Sequence, residues 1–418
     1  MIRRLNKENL ILICDRIIEY SLYILIFFLP ISKSIIEICA SLAILVFIVK
    51  KIITKKFLSS SYLNESIFLY LAVCILSIIF STNTNMSLKA FFAKLLENVL
   101  IYFIVFEAIN NKKKNYIIFI ILFSSAALIC IDGIFQYFTH IDFLRHRNWH
   151  YSPMPFTLRI TGPFITSNDF AAYLAPLSIL TISLFFSKLK KLFIRIFLKI
   201  LATLLLICLF LTLSRGAWLG IFFGLIFIGF FINKRSFIHI LAVIIIVFAL
   251  LWQFLPQEKR DVISTRFTLS DPGGSDRRAL NKISWDMWSD SPIFGLGLGT
   301  YMYNFEKFNY DIKSYPWGPS YAHNCYLQIL VETGLFGLLS FLFLTFVLFF
   351  KSTRKIMKLK AGFDKDLSAG ILAALLVYLV HSAFDTNLYN LDIGLLFWFL
   401  LGLSQSQLKI LEKNSEGQ

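Results

Sequence analysis

The apolar residues of this chain are gathered in long runs, which short polar segments interrupt along almost the entire sequence. A helix that crosses the hydrocarbon core of a bilayer needs about 20 consecutive, mostly apolar residues. Runs of about that length, some of them shorter, predict about twelve membrane-spanning helices, at residues 17–31, 34–49, 66–81, 88–109, 116–138, 168–187, 192–213, 216–232, 237–255, 323–350, 367–385 and 391–408. We therefore expect an all-α polytopic integral membrane protein, with residues 1–418 forming a single helical membrane domain.

Lysine and arginine gather on alternate connections between the predicted spans. Short cytoplasmic loops retain positive charge, whereas exported loops do not. The clusters that fall on one side, and are therefore predicted to be cytoplasmic, are 3–7, 50–56, 112–114, 188–191, 234–235, 351–360 and 409–413. Both termini are thus expected in the cytoplasm. The opposite side receives short turns, a smaller loop at 139–167 and one large loop at 256–322.

Composition agrees with the membrane assignment and argues against two other classes, nucleic-acid-binding proteins and proteins with a cysteine metal or redox site. Hydrophobic residues make up 57% of the chain, above the roughly 45–50% that is usual in soluble domains. The net charge of +16 is spread over loops without a nucleic-acid-binding motif, so we expect no nucleic-acid partner. The six cysteines stand singly, without the Cys-x-x-Cys spacing of metal or redox sites. We predict neither a metal nor a cofactor.

The large loop 256–322 contains an amphipathic pattern. Ala279, Ile283 and Met287 recur at helical spacing, which predicts a helix on the membrane or on the other helices. Ser275 or Asp276 is expected to cap its start. The glycine run 295–299 lacks the strand and helix that surround a phosphate-binding loop, so it is interpreted as a tight turn against neighbouring helices.

Three residues near the exported face are candidates for binding an anion and moving a proton. Arg215 lies between two predicted spans, Arg277 lies in the large loop, and His323 precedes a long apolar run. Guanidinium groups suit phosphate, and a helix start favours the neutral imidazole that can accept a proton. The alternatives are an arginine that snorkels to headgroups and a histidine that only makes a structural hydrogen bond.

Further polar residues on the same side are secondary candidates. His381 and Asp385 are four residues apart, so they are expected to share a helix face near the membrane edge. A structural hydrogen bond between helix ends is an equally good explanation for this pair. The loop 139–167 adds Arg159 among histidines and aromatic residues, a mixture that suits a phosphorylated glycolipid or lipid headgroups.

Four ordered blocks resemble the signature of the O-antigen ligase and polymerase superfamily. They are 162–174, 212–220, 275–277 with 291–297, and 322–334. The resemblance implies about twelve helices and a large periplasmic loop in the bacterial inner membrane. It also implies that Arg215 and Arg277 bind the diphosphate of the donor and that His323 is the general base. Arg278 is the alternative to Arg277, and Asn168 lies within the first block.

The resemblance implies a lipopolysaccharide biosynthesis enzyme. Members transfer a glycan from undecaprenyl diphosphate to an acceptor hydroxyl, which in the ligases belongs to lipid A-core. Arginines that stabilise the departing diphosphate replace a metal, and attack opposite the leaving group inverts the anomeric carbon. A polysaccharide polymerase and a protein O-oligosaccharyltransferase share this chemistry and remain alternatives. A membrane transporter is the alternative from another class.

Overall fold

The computed structural model describes residues 7–146, 159–185, 191–231, 272–308 and 320–416, with single positions between these ranges. This part of the chain is helical and contains no β-strand element, which confirms the all-α prediction. The α-helices are α1 Lys7–Phe28, α2 Lys33–Thr54, α3 Asn64–Ile79, α4 Thr84–Ala90, α5 Glu97–Ala108, α6 Lys112–Thr139, α7 Ser167–Phe185, α8 Leu192–Leu211, α9 Arg215–Gly229, α10 Pro272–Asp290, α11 Tyr301–Phe308, α12 Cys325–Met357, α13 Phe363–His381 and α14 Leu391–Glu416. A π-helical segment, Phe91–Leu96, joins α4 to α5, and a 3₁₀ turn, Asn387–Tyr389, precedes α14.

The helices give the chain the character of a membrane protein. Five of the described helices, α6, α7, α8, α12 and α14, are long and apolar enough to cross a bilayer, and α3 and α9 are shorter apolar helices. Eleven of the predicted spans fall on described helices, while the span 237–255 lies outside the described ranges. The total of about twelve spans and the periplasmic position of the large loop therefore stay predictions.

Several predicted boundaries were wrong in informative ways. The span 88–109 contains the π-helical segment, and the span 367–385 ends at His381, so Asp385 lies beyond the helix. Helix α10 begins at Pro272, before the expected caps Ser275 and Asp276. Proline fits the first turn of a helix because its missing N–H has no partner there in any case.

Three helices near the centre are buried on almost every side. Every residue of α7 from Phe170 to Leu184 is buried, and α13 and α14 are similarly enclosed.

Helix α9 approaches α13 through a row of glycines. A Cβ on Gly216 would lie 2.9 Å from Cδ2 of His381, and one on Gly220 would lie 2.9 Å from the Val377 carbonyl oxygen. Small residues four apart let two helix backbones come close. This row fixes the start of α9 against the end of α13.

Residues 272–308 of the large loop pack on α12, whose Val331 lies in the same buried cluster. Leu280, Ile283 and Met287 of α10 share a buried cluster with Tyr301 and Phe305 of α11. The amphipathic helix therefore covers other helices, which is one of the two expected arrangements. The sequence did not indicate α11.

The glycine run 295–299 pairs with a break in α12. Gly334 adopts φ 67 inside that helix. The amides of Leu296 and Gly297 donate to the carbonyls of Val331 and Glu332 at 2.9 and 3.0 Å. A Cβ on Gly295 would lie 2.4 Å from the Glu332 carbonyl carbon. The interpretation of this run as a tight turn against helices is consistent with these contacts.

Candidate functional site

His323 is held by Asp385 just before α12 begins. Its Nδ1 lies 3.0 Å from Oδ1 of Asp385, and its side chain is 39% exposed while that of Asp385 is 12% exposed. Because a carboxylate only accepts hydrogen bonds, Nδ1 carries the proton and the lone pair of the neutral ring lies on Nε2. This is the arrangement that orients a histidine as a general base.

Local structure fixes both partners of this pair. The side chain of Asn324 accepts the amides of Tyr326 and Leu327 at 2.9 and 3.2 Å and so caps the start of α12. The Cys325 amide donates to the Ser382 carbonyl at 2.8 Å. His323 itself has φ 48, a left-handed conformation that is uncommon outside glycine.

The charge of Asp385 is also stabilised. Burial raises the pKa of this carboxyl, but the hydrogen bond and charge of His323, the charge of His381 and the amide of Thr386 bring its pKa down from 3.8 to about 2. Asp385 is therefore a carboxylate at neutral pH and can stabilise positive charge on His323.

His381 lies close to several of the other candidate site residues. It is 1% exposed, and its Nε2 lies 3.3 Å from Oγ of Ser214, the residue before α9. Arg277, Arg159 and Asp385 all lie within electrostatic range of its ring. The expectation that His381 and Asp385 share a helix face was wrong, because α13 ends at His381.

Arg215 and Arg277 enter this region from different elements. Arg215 is the first residue of α9 and is half-buried, between Ser214 and Gly216, which both lie against His381. Arg277 is half-buried and lies three residues before the buried Leu280 on α10, whereas Arg278 is exposed. Of the two adjacent arginines, Arg277 is thus the one on the inward side of α10.

Arg159 and Asn168 bind each other. Nη2 of Arg159 donates to Oδ1 of Asn168 at 2.6 Å, and its Nε donates to the Thr212 carbonyl at 2.6 Å. This pair ties the segment before α7 to the turn that leads to Arg215. Arg159 and Asn168 therefore help to hold the turn that places Arg215.

The described residues contain no group of three or more histidine, cysteine or carboxylate side chains that could hold a metal ion. All six cysteines are buried and form no disulfide. Sequence reasoning missed the bond between His323 and Asp385. The glycine spacing at 216, 220 and 224 was the available signal that α9 and α13 lie together.

The chain is similar in sequence to known proteins over most of its length. Residues 200–342 match the family model described as O-antigen ligase. The chain is 25% identical over 366 residues to the teichuronic acid biosynthesis protein TuaE of Bacillus subtilis, covering 82% of this chain and 70% of that protein. It is 24% identical over 282 residues to an O-antigen ligase of Salmonella typhimurium, covering 65% of this chain and 66% of that protein.

By these matches the chain is similar to a class of proteins, those of the polysaccharide ligase and polymerase type, and its long apolar helices agree with the character of a membrane protein. Within that class, the matches confirm the resemblance to the O-antigen ligase family that the sequence blocks indicated. The matched region 200–342 contains Arg215, Arg277 and His323. Asp385 and His381 lie beyond it.

Proposed function

We propose that this protein is an inverting O-antigen ligase that transfers a glycan from undecaprenyl diphosphate to a hydroxyl of lipid A-core. The observation that carries the proposal is the hydrogen bond between His323 and Asp385. It supplies an oriented base in the same region as two half-buried arginines.

The reaction assigns one task to each group. Nε2 of His323 takes the proton of the acceptor hydroxyl while that oxygen attacks the anomeric carbon. The bond from that carbon to the phosphate oxygen breaks, and the undecaprenyl diphosphate leaves with the bonding electrons. Arg215 and Arg277 stabilise the negative charge that develops on it. Asp385 stabilises the imidazolium, and no metal takes part.

A lipid-facing groove supports the position of the donor. An apolar space of about 450 Å³ lies between α12 and α13, lined by residues that include Leu342, Phe346 and Leu376, and it ends at Phe384. Phe384 contacts Gly216, next to Arg215. A polyprenyl chain in this groove would bring its diphosphate to the arginines without leaving the apolar environment.

Charge placement supports a periplasmic site in the inner membrane, with both termini in the cytoplasm. The site gathers at the starts of α9 and α12 and the end of α13. Ion pairs at the opposite helix ends join Lys51 to Glu107 and Lys112 to Asp364. Lysine-rich ends are typical of the cytoplasmic side.

Acceptor choice is tested by the lipopolysaccharide profile of a deletion strain. The strain is complemented with wild type or His323→Ala, and undecaprenyl-linked glycan is extracted in parallel. For a ligase that needs His323, long-chain lipopolysaccharide is lost in the variant while long glycan accumulates on the lipid carrier. Core that carries a single repeat identifies a polymerase instead.

A polysaccharide polymerase is the second candidate, because one relative is named for the biosynthesis of teichuronic acid and not as a ligase. An unchanged lipopolysaccharide profile points to a protein O-oligosaccharyltransferase or a transporter. Uptake of undecaprenyl-linked glycan into proteoliposomes identifies a transporter.

A further inference from the structure

A second cavity, which has several polar side chains in its lining, is not used by the donor site. It encloses about 80 Å³ between the π-helical segment, the glycine run, α12 and α14. The residues that give it its chemistry are Lys94, Asn98, Tyr321, Glu332, Tyr389 and Trp398. A cavity needs only about 10–15 Å³ to hold one water molecule, so this space can admit a small polar group.

Glu332 gives the cavity a buried carboxylate. The residue is 1% exposed. Its Oε2 accepts the Gly299 amide at 2.7 Å, and its Oε1 accepts Nε2 of Gln328 at 3.2 Å. Within the described part of the chain its hydrogen-bond donors are neutral groups and it makes no ion pair. An ionisable residue at such a position in a membrane helix is expensive and marks a functional site.

Lys94 reaches the cavity from an irregular helix. It belongs to the π-helical segment Phe91–Leu96, and Asn98 follows one turn later on α5. Single π-helical turns inside α-helices occur frequently at functional sites because they change the direction of side chains. Here the irregular turn brings a cation and an amide to the same cavity as Glu332.

The cavity shares its walls with the His323 site. Tyr321 precedes His323 by two residues, and Tyr389 follows Asp385 by four. The rings of these two tyrosines lie 6.3 Å apart. The segments that line the cavity are thus continuous with both partners of the His323–Asp385 pair, whereas the apolar groove ends at Phe384.

We propose that this cavity binds the terminal sugar ring of the acceptor and presents its hydroxyl to His323. The proposal rests on the proposed glycosyl transfer. A carboxylate and an amide accept and donate hydrogen bonds to sugar hydroxyls, and aromatic side chains supply the apolar surface for the faces of the ring. The attacking oxygen gives its proton to Nε2 of His323 and its electron pair to the new glycosidic bond.

Steady-state kinetics of reconstituted enzyme test the proposal, with lipid A-core and undecaprenyl-diphosphate-linked glycan varied separately. Glu332→Gln replaces one carboxyl oxygen by an amide NH₂ group, and the lost hydrogen bond to the sugar should raise the KM for lipid A-core roughly tenfold or more, with an unchanged KM for the donor. Glu107→Gln is the matched control, since Glu107 is a largely buried carboxylate at the opposite helix ends. If Glu332→Gln does not fold, Asn98→Leu is tested in its place, and it should likewise raise the KM for lipid A-core and leave the KM for the donor unchanged.

Binding without transfer is measured by fluorescence, because Trp398 lines the cavity. Lipid A-core titrated into the detergent-purified protein without donor changes the emission of wild type but not of Trp398→Phe. Equal changes in both KM values, or no change in either, overturn the proposal even when wild type transfers glycan. If lipid A-core binds but receives no glycan, the proposed function is wrong and the cavity remains a sugar site. If lipid A-core neither binds nor receives a glycan, both the proposed function and the sugar site are wrong.

Discussion

Replacing Asp385 by asparagine should slow transfer without unfolding the protein. The side chains are nearly the same size, and an amide oxygen can still accept from the Thr386 amide, which lies 2.8 Å from Oδ1. The negative charge opposite Nδ1 of His323 is lost. The imidazolium that forms when His323 takes the acceptor proton then has no counter-charge, and the variant ring can adopt the unproductive tautomer.

The lowered pKa of Asp385 sets the size of the effect. A fall from 3.8 to about 2 corresponds to about 2.5 kcal/mol. This lies within the range of about 1.5–3 kcal/mol that a hydrogen bond to a charged group contributes, so its loss should lower kcat by about 10- to 150-fold.

The assay is single-turnover transfer to lipid A-core by proteoliposomes across a range of pH. In Asp385→Asn the rate falls over the whole pH–rate profile, because asparagine supplies no negative charge at any pH. Asp132→Asn is the control, since Oδ1 of this buried residue also accepts a backbone amide, from Phe143 at 2.7 Å, and it should leave the profile in place. A folded Asp385→Asn enzyme with wild-type rate and profile would show that Asp385 does not orient the base.

Arg215→Ala or Arg277→Ala should each lower kcat by about 10²- to 10³-fold while membrane insertion persists, and near-normal transfer by the purified variants would remove their role in diphosphate binding. Transfer by wild type should continue in EDTA, and its abolition would require a metal in the mechanism. Leu376→Trp fills the groove between α12 and α13, so the KM should rise for an undecaprenyl donor but not for a short-prenyl donor; equal effects on both would place the chain elsewhere. Gly334→Ala places a Cβ 2.1 Å from the Ile293 carbonyl oxygen at φ +67 and should destabilise the protein by at least about 2 kcal/mol, read as a lower melting temperature in detergent than that of wild type or the lipid-exposed variant Leu339→Ala.

Hydrophobic periodicity was sufficient to locate most helices. Long apolar runs have few alternatives to a helix in a membrane, so the described helices follow the predicted spans. Their ends depended on contacts that a local pattern does not contain. The end of α13 at His381 and the start of α10 at Pro272 were both placed wrongly for that reason.

Side chains near the site could be named from their chemistry, but their partners could not. Asp385 was selected with His381 because of their spacing, yet its hydrogen bond goes to His323, 62 residues earlier. That contact depends on how α12 and α13 pack, which is a tertiary property. The π-helical segment around Lys94 was equally invisible, since its sequence is an ordinary apolar helical run.

The break in α12 has a consequence for the biogenesis of the protein. The Leu335 amide donates to the Pro292 carbonyl at 2.9 Å, and the Val331 carbonyl accepts from Leu296 at 2.9 Å, so two groups that would pair within an unbroken helix are satisfied by the preceding loop. Unpaired backbone groups are too costly in lipid to persist. The newly inserted segment must therefore either enter as a straight helix and open later, or meet its loop before it is released to the bilayer. A variant from which residues 291–299 are deleted should have a straight α12, with Gly334 in a right-handed helical conformation.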